Sequence, residues 1–258
     1  MDPRQTVTSA ATSLQFDCTG CGKCCNGHHV PLTLDEARHW VADGGQLIVL
    51  VEAFLANGQG LPDAQREHAT RRACAVPCGS TQAHVAITFA AFNPGACRNL
   101  DADNLCRIYE RRPLVCRIYP MEINPHIPLN PSAKDCPPES WEQGPALIVG
   151  GELMDAQLAE LIRRSRQADR DDVQTKEAVC ALLGIRTTAL KGDGFTAYLP
   201  DMQAFAQAIE QAVEQPAVTN EWVFHVSGMD VAEQVLDAGA QIATEVPANY
   251  AFISLRAA

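Results

Sequence analysis

Eleven cysteines stand in a chain of 258 residues, and four of them, Cys18, Cys21, Cys24 and Cys25, fall within eight positions. Thiols at that density point to metal chemistry. Two-residue gaps let successive sulfurs turn towards one point, and Gly20 and Gly22 permit the positive φ that so tight a ligand loop requires. The C-x2-C-x2-C spacing suits a zinc site and equally opens a bacterial ferredoxin-type cluster loop, so zinc and iron–sulfur both stand as candidates. Adjacent side chains diverge in most backbone conformations, so Cys24 and Cys25 either serve different ions or one of them bridges.

A second group, Cys97, Cys106, Cys116 and Cys136, lies further along the chain. Cys106-Arg-Ile-Tyr recurs ten residues later as Cys116-Arg-Ile-Tyr. Pro113 suits the first turn of a short helix running to Tyr119, where Pro120 stops it, which puts Cys116 on a rigid element. Cys136-Pro-Pro closes the region in the manner of a cluster-binding segment. The eight thiols Cys18, Cys21, Cys24, Cys25, Cys97, Cys106, Cys116 and Cys136 are the expected ligands. They suffice for two tetrahedral sites, for one four-cysteine cluster with four left over, or for a two-metal centre with bridging sulfur. A four-thiolate centre is anionic, so Arg112, Arg117, Tyr109 and Tyr119 are expected around it. His28 and His29 could complete a Cys3His site, although an outer role is their default. Cys74 and Cys78 read as incidental thiols, with an auxiliary pair as the alternative, and Cys180 as a small apolar core residue. No residue marks a catalytic site.

Composition narrows the class. With 47% hydrophobic and 20% charged residues, the chain is neither disordered in type nor supplied with the run of ~18–20 apolar residues that spans a bilayer. A formal charge of −11 argues against a nucleic-acid partner, since a phosphate backbone would be repelled. The N-terminus, with an early acid, a proline and no apolar core segment, does not read as a secretory signal, so a cytoplasmic location is expected. In that reducing setting clustered cysteines are better explained by metal than by disulfides.

The elements that must position these residues are read from periodicity and caps. Thr33 and Glu36 form a capping box opening a short helix that Gly44-Gly45 ends. Residues 46–56 and 84–92 read as strands, the second by clean alternation ahead of Asn93-Pro94-Gly95. From about residue 150 helical periodicity takes over, with faces at Leu153, Leu158, Leu161 and Ile162, then Val173, Val179 and Leu182, then Phe205, Ile209 and Val213 after an Asp201 cap. The expected fold is α+β and mainly helical, a cysteine-rich metal-binding core with short strands plus a helical C-terminal layer. Its expected organisation is a flexible 1–15, a metal-binding region over 16–149 and a helical region over 150–258 that could recruit a protein partner.

Taken together, Phe16-x-Cys18-x-x-Cys21-Gly22-x-Cys24-Cys25, Cys97-x-x-Leu100, Cys106-x-Ile-Tyr and Arg112-Pro113-x-x-Cys116-Arg117-x-Tyr119-Pro120 resemble the CxxCxxCC family, also called the YkgJ-like cysteine cluster proteins. The resemblance covers roughly residues 16–136. It implies zinc or iron chelation and a likeness to a cysteine-rich part of flagellin lysine N-methylases. A methylase-like, iron–sulfur-dependent modifying enzyme is therefore the alternative function, although the chain shows no glycine-rich strand-to-helix turn with a downstream acid for a methyl donor.

Overall fold

Two long apolar strands carry the architecture. The computed structural model describes residues 13–57, 61–190, 194–214, 220–226, 228–243 and 250–254. In chain order the elements are β1 (Ser13–Gln15), β2 (Val30–Leu32), α1 (Leu34–Ala42), β3 (Leu47–Leu55), α2 (Asp63–Thr70), β4 (Cys74–Cys78), β5 (Thr81–Ala91), α3 (Leu114–Ile118) and α4 (Glu139–Glu142). There follow β6 (Ala146–Val149), β7 (Glu152–Leu153), α5 (Ala156–Asp171), α6 (Val173–Leu182), β8 (Thr187–Leu190), β9 (Gly194–Tyr198), α7 (Met202–Glu214), β10 (Val223–His225), α8 (Met229–Asp237) and β11 (Tyr250–Ser254). Of the first fifteen residues, 1–12 lie outside the described residues and Ser13–Gln15 form a strand.

β3 and β5 pair antiparallel from Leu47↔Ala91 to Leu55↔Ala83. The other edge of β3 is shared, with β9 antiparallel beside Val49–Val51 and β8 parallel beside Glu52–Ala53. β2 and β4 divide the free edge of β5 between them. The result is an eight-stranded sheet to which β10 and β11 add through β8 and β9. Helices α6 and α7 bury Val179, Cys180, Phe205 and Ile209 against it, and Phe205 meets Phe89 edge to face with ring centroids 5.0 Å apart. A three-stranded sheet, β1-β6-β7, stands apart from it. It shares a smaller core with α3 and α5 in which Leu114, Ile118, Leu147, Leu158 and Ile162 are buried together.

The expectation of a mainly helical protein is corrected by this topology. The fold is α+β, but among the described residues helix accounts for 37% and strand for 25%, in two multi-strand sheets. The C-terminal part is not simply a helical layer, because β8 to β11 enter the main sheet, β8 and β9 by pairing with β3, the strand that the sequence places at 46–56, and β10 and β11 by pairing with β8 and β9. β8 and β9 are short and nearly fully buried, so they lack the alternation that betrays a half-exposed strand. Phe224 sits in β10.

Helix α1 ties this scaffold to the cysteine region. The Thr33 hydroxyl accepts from the Glu36 N–H at 3.2 Å, and Glu36 Oε2 accepts from the Thr33 N–H at 2.9 Å, closing the capping box. The second carboxylate oxygen of Glu36 reaches out of the box and accepts from the Leu114 N–H at 2.6 Å, at the first turn of α3. Asp172, between α5 and α6, accepts from the Leu34 N–H at 2.8 Å. One carboxylate therefore fastens two helix N-termini, and a second fastens α1 to the C-terminal helices. Hydrogen bonds to an ionised acceptor are each worth about 1.5–3 kcal/mol, so Glu36→Ala should lower stability by about 2–3 kcal/mol in urea unfolding, with Glu36→Gln losing less.

Candidate metal centre

The loop that carries the first four cysteines folds the way its glycines demand. Gly20 and Gly22 both take positive φ, 66° and 69°, as their spacing between cysteines requires. A 3-10 turn follows over Lys23–Cys25. The Gly22 carbonyl accepts from the Cys25 N–H at 3.0 Å and from the Asn26 side chain at 2.9 Å. This turn brings the Cys24 and Cys25 sulfurs to 4.0 Å from one another.

The β2/β5 ladder then extends outward and places Cys97 beside them. Gly27 N donates to Gly95 O at 2.8 Å and Cys97 N to Cys25 O at 2.7 Å, with an antiparallel bridge between Asn26 and Ala96. Asn93, buried, locks the corner, its backbone N–H bonding His29 Nδ1 at 3.1 Å and its side chain donating to His28 O at 3.2 Å. Beyond Cys97 the chain doubles back. Asp101 caps the turn by accepting from the Asp103 and Leu105 N–H groups, Asn104 takes a left-handed φ of 62°, and a Leu100–Cys106 bridge returns Cys106 towards Cys97. Short-side-chain Asp and Asn suit these turn positions.

Cys116 comes from α3, as the sequence indicates, with Leu114 and Ile118 of the same helix in the smaller core. Cys136 comes from the following loop, where its Sγ donates to the Tyr119 hydroxyl at 3.4 Å. The segment holding Cys18 is clamped nearby: Asp17 N donates to Ser140 O at 2.9 Å, the Thr19 and Ser140 hydroxyls are 3.4 Å apart, and Phe16 packs on Trp141 with ring centroids 4.9 Å apart.

A cavity of about 1050 Å³ opens among these segments, and Cys18, Cys24, Cys25, Cys97, Cys106 and Cys116 line it. Cys21 and Cys136 stand beside it through their neighbours Cys18 and Tyr119. Among the described residues, no three Cys, His, Asp or Glu side chains already converge on a point where an ion would sit. The donor set fits a thiolate-seeking ion in chemistry and number, while closure of a coordination sphere requires the sulfurs to turn inward. Cys74, Cys78 and Cys180 take no part in the cavity. Cys74 and Cys78 are buried on β4, Cys180 is buried on α6, and Cys74 Sγ donates to Val173 O at 3.5 Å.

The electrostatics follow from gathering so many acidic thiols. Burial pushes the Cys116 thiol up to about 12, and the neighbouring Cys25 and Cys97 charges add to it, while Arg112 opposes. Burial also raises Cys97 and Cys136. In the adjacent pair a shared hydrogen bond raises Cys24 and lowers Cys25, with Arg112 and His28 adding to the lowering of Cys25. Arg112 is held in place by Nε donating to Tyr109 O at 2.9 Å and by lying 3.7 Å over the Tyr109 ring.

Of the four residues expected around a thiolate centre, Arg112 and Tyr119 therefore act on the sulfurs directly. Tyr109 acts by carrying Arg112, and Arg117 lines the cavity from an exposed position. His28 and His29 line the cavity too, where His29 stacks on Phe92 and His28 Nε2 sits 2.8 Å from Asp135. Sequence reasoning missed Asp135, Lys134 with its Glu122 partner, and the reach of Glu36 to α3. The capping-box signature marked Glu36 but gave no sign of its second partner.

Residues 17–137 match the model of the CxxCxxCC family, described as a "putative zinc- or iron-chelating domain". No curated protein and no solved structure matches the chain.

The ligand loop yields a graded test. A Cβ at Gly22 would be strained by its φ of 69° and would also lie 2.9 Å from the Asn104 Cβ, whereas one at Gly27, with φ 71°, would meet nothing within 4 Å. Left-handed backbone costs a non-glycine residue about 1–2 kcal/mol. Gly27→Ala should lose about that much stability in urea unfolding. Gly22→Ala should lose more, and only Gly22→Ala should also weaken metal retention against a competing chelator.

Proposed function

Because the chain belongs through residues 17–137 to the CxxCxxCC family, we propose that it binds zinc or iron through Cys18, Cys21, Cys24, Cys25, Cys97, Cys106, Cys116 and Cys136. The observation that carries this reading is the convergence of cysteines from four separate stretches of chain on one cavity. Thiolate sulfur selects zinc, copper(I) and iron–sulfur centres over hard cations. When bound, such an ion supplies the positive charge that lets neighbouring thiols ionise together.

The role is at least partly structural. Residues 93–145 contain only short helical turns between loops, and the core under them is the small one around Leu114 and Ile118. A region so poor in regular structure draws much of its stability from cross-links, and a structural zinc supplies about 10–16 kcal/mol of apparent binding free energy at neutral pH. Among the described residues no helix is long and apolar enough to cross a membrane, and the sequence charge of −11 favours a cation as the ligand. The cytoplasm, with its reducing potential, would keep the thiols available.

Thermal unfolding with and without a strong chelator tests the proposal. The expected outcome is a clear fall in Tm on chelation, reversed by adding back zinc or ferrous iron. An unchanged transition in protein shown to have lost its metal would remove the structural role.

A further inference from the structure

We propose that His68 is the titrating element of an acid-sensitive latch: neutral, it lets residues 121–130 lie against α2 and α5, and protonated it drives them away. This segment joins α3, which carries Cys116, to the loop of Cys136. The latch therefore bears on the cysteine cavity, but the inference does not depend on which ion the cavity holds, or on its holding one.

The contact is made from both sides of the segment. On α2, Gln65 Oε1 accepts from Asn124 Nδ2 at 3.4 Å, and the His68 ring meets the His126 ring edge-on with centroids 6.1 Å apart. Just beyond the end of α2, Arg72 Nε lies 3.5 Å from Asp169 Oδ2 of α5. Arg166, also on α5, donates from Nε to Ile123 O at 2.7 Å. Met121 and Leu129 anchor the segment on the smaller core. Glu122 pairs with Lys134, two residues before Cys136, and Lys134 lies 5.4 Å over the Tyr119 ring. A displacement of the segment thus reaches the frame that holds Cys136.

Within this contact His68 is placed where a proton is costly. Its Nε2 is shielded from water and finds no hydrogen-bond partner among the described residues. A charge buried without a partner is strongly disfavoured. Arg72 at the end of α2, Arg166 on α5 and His126 on the segment all oppose a positive charge there, and only Asp169 favours it. Asp169 is already engaged by Arg72 and by Lys176 of α6, 3.6 Å away. The other charges nearby are turned elsewhere: Arg66 pairs with Asp63 and Arg71 with Glu67 on the exposed side of α2, and Arg170 of α5 bonds Gln167.

Burial first, then Arg72 and Arg166, push the His68 imidazole down from 6.5 to about 4. Opening the segment returns the ring to water and restores its ordinary affinity for a proton. The closed form is therefore held in full above 6.5 and weakens as pH falls from 6.5 towards about 4.

Amide hydrogen exchange on the full-length protein, corrected for the intrinsic pH dependence of exchange, reads the latch directly. Between about pH 7 and about pH 5 the opening equilibrium of residues 121–130 should rise roughly tenfold, while β3 and β5 keep their protection. His68→Gln, which keeps a polar side chain but does not titrate, should abolish most of that rise. Acid that strips metal from the cysteines would loosen both proteins alike, so an equal pH dependence in the two would overturn the proposal. An NMR titration of the His68 ring in the unaltered protein gives a second reading that needs no variant. A midpoint well below 6.5 is expected, and one at or above it would overturn the proposal even if His68→Gln failed to fold.

Discussion

Thiols brought close enough to share an ion repel one another as soon as they ionise, and the cysteine region is built around that constraint. Each neighbouring thiolate raises the cost of the next, and burial adds to it, as the elevated Cys116 and Cys97 thiols show. Arg112 offsets the repulsion beside Cys25 and Cys116, but one guanidinium cannot neutralise eight sulfurs. A bound cation would resolve the conflict, and would couple loop conformation and stability to metal.

The scaffold delivers the donors by extending regular structure to the edge of the cavity and then stopping. β2 and β5 run outward into the Cys25–Cys97 zipper, and β1 with β6 fixes the chain entering Cys18. α3 carries Cys116 on a helix whose first turn is fastened to α1 by Glu36. Regular elements hold the frame, and apart from Cys116 on α3 the sulfurs themselves sit on turns and loops. The arrangement also explains how the C-terminal part bears on the cysteine cavity. α5 packs behind α3, Asp172 holds the start of α1, and β8 and β9 support β3.

Much of the site was legible because its signals are local. Cysteine spacing, the glycines at φ 66° and 69°, the capping box at Thr33 and the proline-bounded helix around Cys116 are each written within a few residues. The strand at Thr81–Ala91 was plain from alternation, and the one at Leu47–Leu55 less so, because its β-branched start gives way to helix-forming residues. The C-terminal strands were not, because β8 is buried along its whole length and its identity is decided by pairing with β3, more than a hundred residues away in sequence. Nothing local says that Cys97 lies beside Cys25 or that the chain at Asp17 is held to Ser140, since both depend on long-range hydrogen bonds, Cys97 N to Cys25 O and Asp17 N to Ser140 O.

The central claim is that cysteines distant in sequence converge here to hold a metal ion. Elemental analysis together with an absorption spectrum, on protein purified without oxygen and without added metal, tests it most directly. The account predicts zinc or iron at stoichiometric levels, colourless for zinc and with absorbance near ~400 nm if the iron is held with sulfide. Folded protein carrying neither metal, with all its thiols titratable, would contradict it.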